Sequence, residues 1–271
     1  MRYERDQNPI INFFEAIRIA LITQYYGWKG FTIYRTQFVF YLLYGAVSPF
    51  VTFLFIYVIY NVSAGVPGWT FYQLLFLNIL VGLVSSLVPY VSSPSGLMLS
   101  LRTGGFDVLL TRPYSAFNAI MANFSDTTSG INVIDYLILL AYVMAHLTFT
   151  LPGAGMFAVV FVLGTIAITL FLQTAVLFAY RSLRSSSVIS NIFNLATGFT
   201  NQPLSLYGFT GTILLTLLVP IGFATYFPAE LFIGKQGLSF FIPAVIALAV
   251  LIGMFYKLIT RRLKGYESAM G

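Results

Sequence analysis

Few residues of this chain could carry out chemistry on a substrate. The sequence has one histidine, His146, and no cysteine, so a thiol nucleophile, a disulfide and a zinc–thiolate site are excluded. No carboxylates cluster near His146 in the sequence, which favours an interfacial side chain over a metal ligand. An enzyme needs a nucleophile–base pair or a metal cluster, and this composition supports neither.

The sequence also has no phosphate-binding loop. Such a loop has the form G-x-x-x-x-G-K-[ST], and the nearest text, GKQG from Gly234, lacks that spacing. We therefore predict that this chain holds no metal or other cofactor of its own and does not hydrolyse ATP by itself.

The composition predicts a polytopic membrane protein. The chain is 58% hydrophobic and only 8% charged, whereas a soluble domain carries about 25% charged residues. There is too little polar surface to cover a water-soluble globule of this size. The net charge of +6 does not indicate nucleic-acid binding, because the basic residues lie at the ends of apolar runs.

The apolar runs predict an all-α fold with six transmembrane helices. Each run is close to the roughly 20 residues that a helix needs to cross a bilayer. Five spans are predicted at about residues 38–60, 71–91, 131–149, 156–180 and 238–259, with a tight turn at Pro152, Gly153 and Gly155 before the fourth. The third helix could begin earlier, after Pro113.

The remaining crossing has two candidates. Either residues 187–201 cross and residues 211–227 dip back as a hairpin, or the reverse holds, and the charges fit both. Pro220 in mid-segment and the glycines around it favour a broken, re-entrant extracellular element for the later stretch.

The distribution of Lys and Arg predicts the orientation. Thirteen of the 14 basic residues lie on one side of the spans, and Lys235 is the exception, so both termini are expected in the cytoplasm of a multi-pass cell-membrane protein. The predicted organisation is a cytoplasmic N-terminus at 1–36, a transmembrane domain at 37–260 and a cytoplasmic tail at 261–271. Within the domain lie a coupling loop at 92–117 and a re-entrant segment at 208–237.

The N-terminal segment predicts an amphipathic helix in the headgroup layer. From Ile11 onward, apolar residues share one helical face, and Tyr25, Tyr26 and Trp28 follow beside Lys29. The alternative is a surface helix packed on its own protein.

The polar stretch TGGFDVLLTRPYS, residues 103–115, predicts a short cytoplasmic helix after the second span. Gly104 and Gly105 break the preceding helix, Asp107 and Arg112 suit the two ends of the new one, and Pro113 terminates it. Such a helix could pass force to a soluble partner. The alternative is that the two charges only cap a solvated helix.

These features together resemble the membrane subunit of a type-2 ABC transporter, the exporter-like permease class. GGFDVLLTRPYSAF is similar to that class's loop G-x-x-D-x-x-L-x-R-P, and QPLSLYG resembles its extracellular P-L-S motif. LLVPIGFATYFPAELFIG resembles the proline-containing re-entrant segment that follows, and GYESAMG matches a tail common in one bacterial and archaeal subgroup.

The resemblance implies partners that the chain itself does not contain. They are a second permease subunit, identical or homologous, two copies of a cytoplasmic ABC ATPase that hold ATP and Mg, and membrane lipids, with no nucleic acid. The residues that would couple to the ATPase are Phe106, Asp107, Leu109, Leu110, Arg112 and Pro113. The alternative function is a secondary, ion-coupled transporter, for which Asp135 is the nearest intramembrane charge.

Two polar stripes are candidate linings of a translocation pathway. One follows a helical face at Ser187, Asn191, Asn194, Gly198 and Asn201, and the other comprises Thr165, Thr169 and Gln173. The alternative is that these small and polar residues hold helices together in lipid. An extracellular gate is predicted at Pro203, Pro220, Pro228 and Glu230, and for Glu230 a solvated loop carboxylate is the favoured alternative.

Overall fold

The computed structural model describes residues 9–62, 65–112, 115–180 and 185–266. Throughout these ranges the chain is helical or in turns, with one isolated bridge between Val66 and Trp69. Within these described ranges, five helices are long and apolar enough to cross a membrane, and one bent pair of helical segments could make a sixth crossing. The all-α, multi-span class predicted from the sequence is therefore confirmed.

The N-terminal part consists of helices α1 (Pro9–Ile33) and α2 (Arg35–Val62), which follow each other almost without a break. One side of α1 packs on the protein, where the Gln24 amide and the Trp28 indole both reach Tyr90. Tyr25 and Tyr26 point outward and are 63% and 65% exposed. The helix thus packs on its own protein and also presents an outward aromatic pair.

Helix α3 (Phe71–Ser92) is the centre of the fold, and α4 (Pro94–Arg102) continues it after a break. Thr70 precedes α3 as the N-cap residue of a capping box. Its hydroxyl accepts from the backbone N–H of Gln73, and the side-chain oxygen of Gln73 accepts from the backbone N–H of Thr70. The residues from Leu74 to Val81 are all buried, because other helices cover every side of α3.

Helix α4 is followed by α5 (Gly105–Leu110), α6 (Ala116–Asn123) and α7 (Thr127–Met144). The third span begins earlier than predicted because Asp126 caps it, accepting from the Thr128 amide at 3.0 Å. The predicted turn at Pro152 is wrong: Pro152 and Gly153 lie in the first turn of α8 (Leu151–Ala179), where proline is tolerated because its missing N–H has no partner there.

Helix α9 (Ser185–Thr200) has 16 residues, about 24 Å at 1.5 Å per residue. It is followed by a 3₁₀ turn (Leu204–Tyr207), α10 (Gly208–Ile213), a π turn (Leu214–Leu218), α11 (Ile221–Ala224) and α12 (Tyr226–Phe232). The two halves of this stretch bend by 81° at Val219 and Pro220, which is the break that the proline predicts. The long helix α13 (Leu238–Lys264) comes last.

The second half of the bent stretch lies inside the protein. Every residue from Ile221 to Phe232 is buried, and α11 and α12 pack against α8. The approach is closest at Gly164, where an added Cβ would overlap the Phe223 carbonyl group. Glycine at this position therefore sets the distance between α8 and the bent stretch.

Gly164→Ala should destabilise the protein by about 1–3 kcal/mol, because the new methyl group would push α11 away from α8. Gly155→Ala is the matched control on the same helix, since a Cβ there would meet nothing within 4 Å. Thermal unfolding of the two purified variants makes the comparison. Equal unfolding temperatures would show that α11 does not pack on Gly164.

Candidate functional site

The break between α3 and α4 leaves backbone groups that other helices must satisfy. Pro94 has no N–H, so the Tyr90 carbonyl has no partner within the helix and accepts instead from the Gln24 amide of α1 at 2.8 Å. The Pro89 carbonyl accepts from the backbone N–H of Asp126 at 2.9 Å, and the Ser93 N–H donates to the Phe124 carbonyl at 2.7 Å. Backbone groups in a membrane protein need such partners because lipid offers none.

Helix α8 attaches to the same break through Gln173. Its side-chain nitrogen donates to the Ser92 carbonyl at 2.7 Å and contacts the Ser92 hydroxyl at 2.9 Å. The Ser92 hydroxyl in turn donates to the Ile120 carbonyl of α6 at 2.8 Å, and both Gln173 and Ser92 are fully buried. We call this set of contacts the junction; it comprises Gln24, Pro89, Tyr90, Ser92, Ser93, Ile120, Phe124, Asp126 and Gln173.

The loop helix α5 is anchored directly beside the junction. Gly104 turns the chain with φ +73°, a left-handed conformation that glycine adopts without strain. The Phe106 ring is fully buried and packs near Phe124 and edge-on to Tyr266, with ring centroids 6.5 and 5.3 Å apart. A direct contact between Phe106 and a partner is therefore not supported, because this side chain has no exposed surface.

The opposite side of α5 faces outward. Val108 is 63% exposed, Asp107, Leu109 and Leu110 are half-buried, and Arg112 is exposed, while Pro113 lies outside the described residues. At the end of α4, the Arg102 guanidinium donates to the Tyr180 carbonyl at 3.2 Å and so ties the loop to the end of α8. The loop thus combines a buried anchor with an outward apolar surface.

The two predicted pathway stripes lie in different environments. Asn191, Asn194 and Gly198 are exposed on α9, on the side opposite the buried Ile189 and Ala196. Asn201 is half-buried, and the Ser187 side chain lies outside the described ones. On α8, Thr165, Thr169 and Gln173 are buried, and each threonine hydroxyl donates to the carbonyl four residues earlier. The structure thus does not bring the two stripes together. The buried stripe on α8 matches the alternative interpretation, in which small and polar residues pack helices against each other.

The four residues of the predicted gate, Pro203, Pro220, Pro228 and Glu230, are all buried. Glu230 is only 7% exposed; it accepts from the Tyr226 hydroxyl at 2.6 Å and from the Gln236 amide at 3.2 Å. The solvated-carboxylate interpretation of Glu230 is therefore wrong.

Lys235 ties the bent stretch to the loop between α2 and α3. Its ammonium group lies 3.5 Å from the centre of the Trp69 ring and donates to the Gly68 carbonyl at 2.7 Å. Partial desolvation lowers the pKa of Lys235, and the nearby Glu230 carboxylate opposes this effect. We call this contact the outer tether.

The isolated titratable residues do not form a further site within the described ranges. His146 is exposed, as an interfacial side chain would be, and its ring stacks on that of Tyr72 with the ring centroids 4.6 Å apart. No cluster of metal-ligating residues occurs in the described part of the chain. The Asp135 carboxylate lies with Asn132 against Gly45 of α2, where a Cβ would meet both side chains.

The fold and the junction define a class: a helical multi-pass membrane protein whose spans are joined at one broken helix. A family model described as ABC-2 family transporter protein matches residues 46–270, and the chain therefore belongs to this family of ABC-transporter membrane subunits. The resemblance indicated by the sequence motifs is thus confirmed. Comparison with curated proteins and with solved structures gives no match.

Removing the Gln173 amide should reveal the coupling between α8 and the break. Gln173→Leu should cost about 1–3 kcal/mol because it leaves the buried Ser92 carbonyl without its side-chain donor. Combined with Ser92→Ala it should be non-additive by about 0.5–3 kcal/mol. Thr174→Val is the control, since the Thr174 hydroxyl bonds only within its own helix, to Leu170. Denaturation in mixed micelles gives the unfolding free energies of the wild type, the two single variants, the double variant and the control, and additive losses would contradict a direct contact.

Proposed function

We propose that the chain is the permease subunit of an ATP-driven exporter and works as a dimer with two copies of a separate cytoplasmic ATPase. The observation that carries this proposal is the junction, which links the outward-facing loop of α4 and α5 to α1, α6, α7 and α8. A loop that only connected two spans would not need bonds to four other elements. Membership of the ABC-2 family supports the same role.

The ATPase would bind the outward side of α5. Val108 offers exposed apolar surface there, and Leu99 of α4, which is 64% exposed, adds to it. ATP and Mg reside in the ATPase, and its closure moves α5. Because Phe106 is packed beside Phe124, this movement reaches the Ser93–Phe124 hydrogen bond and, through Ser92, the buried Gln173 of α8.

The exposed asparagine face of α9 supports a second permease copy. Ile189 and Ala196 fix one side of the helix on its own protein, so Asn191 and Asn194 point away from it. Amide side chains facing lipid lack hydrogen-bond partners, and this cost favours a route between two copies of the chain. The buried α11 and α12, held by the outer tether, would close the outer end of that route.

The sequence supports the proposed orientation and direction. With 13 of the 14 basic residues on one side, both termini and α5 lie in the cytoplasm. Export is the proposed direction because the chain lacks the long coupling loops of importers that use a solute-binding protein.

Val108→Glu should weaken co-purification of the ATPase at least tenfold while leaving thermal stability unchanged, because an exposed side chain changes only the outward surface of α5. Val62→Glu is the control: Val62 is 81% exposed but ends α2, on the side away from α5. If both variants bind the ATPase like the wild type, α5 is not the docking element. A chain that transports actively without any ATPase would instead support an ion-coupled transporter.

Accessibility of α9 tests the route. Since the chain has no native cysteine, Asn191→Cys and Asn194→Cys can be labelled singly with a charged, water-soluble thiol reagent. Both should react in membranes, with rates that change several-fold when the assembled transporter binds ATP. Ile192→Cys is the control, because Ile192 is exposed on a different side of α9 and should face lipid. An unreactive asparagine face throughout the cycle would refute the pathway assignment.

A further inference from the structure

A half-open cavity of about 150 Å³ lies against the junction and is lined by α3, α4, α8 and α9. Each of these helices contributes an apolar wall: Val88 from α3, Met98 from α4, Val176 from α8 and Ile189 from α9. Among the predicted pathway residues whose side chains the structure describes, Asn194 touches it. The cavity therefore borders the exposed asparagine face of α9.

The size and lining of the cavity define what can fill it. An apolar cavity of about 150 Å³ is large enough for a benzene ring and is a poor site for water, which needs two to four polar partners. No charged side chain occurs among the described residues that line it, and these residues offer no partner to a charged group. The polar residues of the described lining, Ser93, Ser95, Ser190 and Asn194, are all uncharged.

The position of the cavity links its occupancy to the loop that carries α5. Pro94 and Met98 belong to α4, directly before α5, whereas Ile189 and Phe193 belong to α9, which bears the proposed route. An occupant that fits only one spacing of α4 and α9 stabilises that spacing and shifts the protein toward it. The same movement that reaches the junction from α5 therefore changes the shape of the cavity.

We propose that this cavity binds a slim, uncharged apolar group, the size of a phenyl ring or a short hydrocarbon end, and that its filling sets the position of α4 relative to α9. Such a group can come from the transported molecule or from the acyl chain of a membrane lipid. The first source rests on the proposed function, whereas the binding site itself does not.

Bromobenzene binding to the purified full-length chain in nanodiscs tests the site. A probe at tenfold excess over its Kd should raise the unfolding temperature of the wild type by about 3–6 °C with saturation. Val176→Phe fills the cavity and should abolish this rise. Val162→Phe is the control with the same substitution on α8, where Val162 is 54% exposed, and it should respond like the wild type. If Val176→Phe does not fold, Ile189→Phe fills the cavity from the opposite wall.

An equal response of the wild type, the filled variant and the control would overturn the proposal, because bromobenzene would then act only by dissolving in the bilayer.

Two further measurements distinguish the sources. A phospholipid that the wild type retains through delipidation and Val176→Phe loses identifies an acyl chain. ATP hydrolysis by the assembled transporter that bromobenzene stimulates in the wild type but not in Val176→Phe identifies the transported molecule. Neither measurement is needed for the thermal shift, so loss of the site would leave the proposed function standing.

Discussion

The architecture depends on one constraint, the need to give hydrogen-bond partners to the backbone groups at the break between α3 and α4. Pro94 removes the donor that the Tyr90 carbonyl would have used, and the Ser93 N–H turns toward Phe124. Each group left without an intrahelical partner in such a place costs free energy comparable to a lost hydrogen bond. The partners supplied by α1, α6, α7 and α8 remove this cost, and in doing so they fasten otherwise separate helices to one point.

The contacts of the junction also fix the position of the short loop helix α5 relative to the membrane domain. A helix of six residues such as α5 has little stability of its own, and its position is fixed by the burial of Phe106 between Phe124 and Tyr266. Because Phe124 also accepts the Ser93 hydrogen bond, the anchor of α5 and the break in the second span share a residue. The outward surface of α5 is therefore connected to the centre of the fold through packed rings and one backbone hydrogen bond.

The sequence predicts the long elements well and the contacts between them poorly. Hydropathy places α2, α3, α8 and α13 to within a few residues, because an apolar run of this length has one stable form in lipid. The sequence does not predict the junction, because its partners lie far apart in the chain: Gln24 is 66 residues from Tyr90, and Gln173 is 81 residues from Ser92. The text SSP at Ser92, Ser93 and Pro94 was the available signal, since it indicates a helix break, but it does not reveal which donors compensate. The polarity of Gln173 indicates a pathway lining, whereas the structure places this side chain at the junction. The burial of Glu230 depends on contacts between distant helices, which the spacing of apolar residues does not show.

The outer tether has a consequence for the environments in which the protein can work. Lys235 binds a ring and a backbone carbonyl, and neither acceptor gains or loses a proton in the range where carboxylates do. A latch built on a lysine–carboxylate pair would open as the medium turns acidic, because the carboxylate would become neutral. This one keeps both of its acceptors and its charged amine as the pH falls. In the proposed orientation, the two direct contacts of Lys235 with Trp69 and Gly68 therefore hold this face together without relying on the charge of a carboxylate.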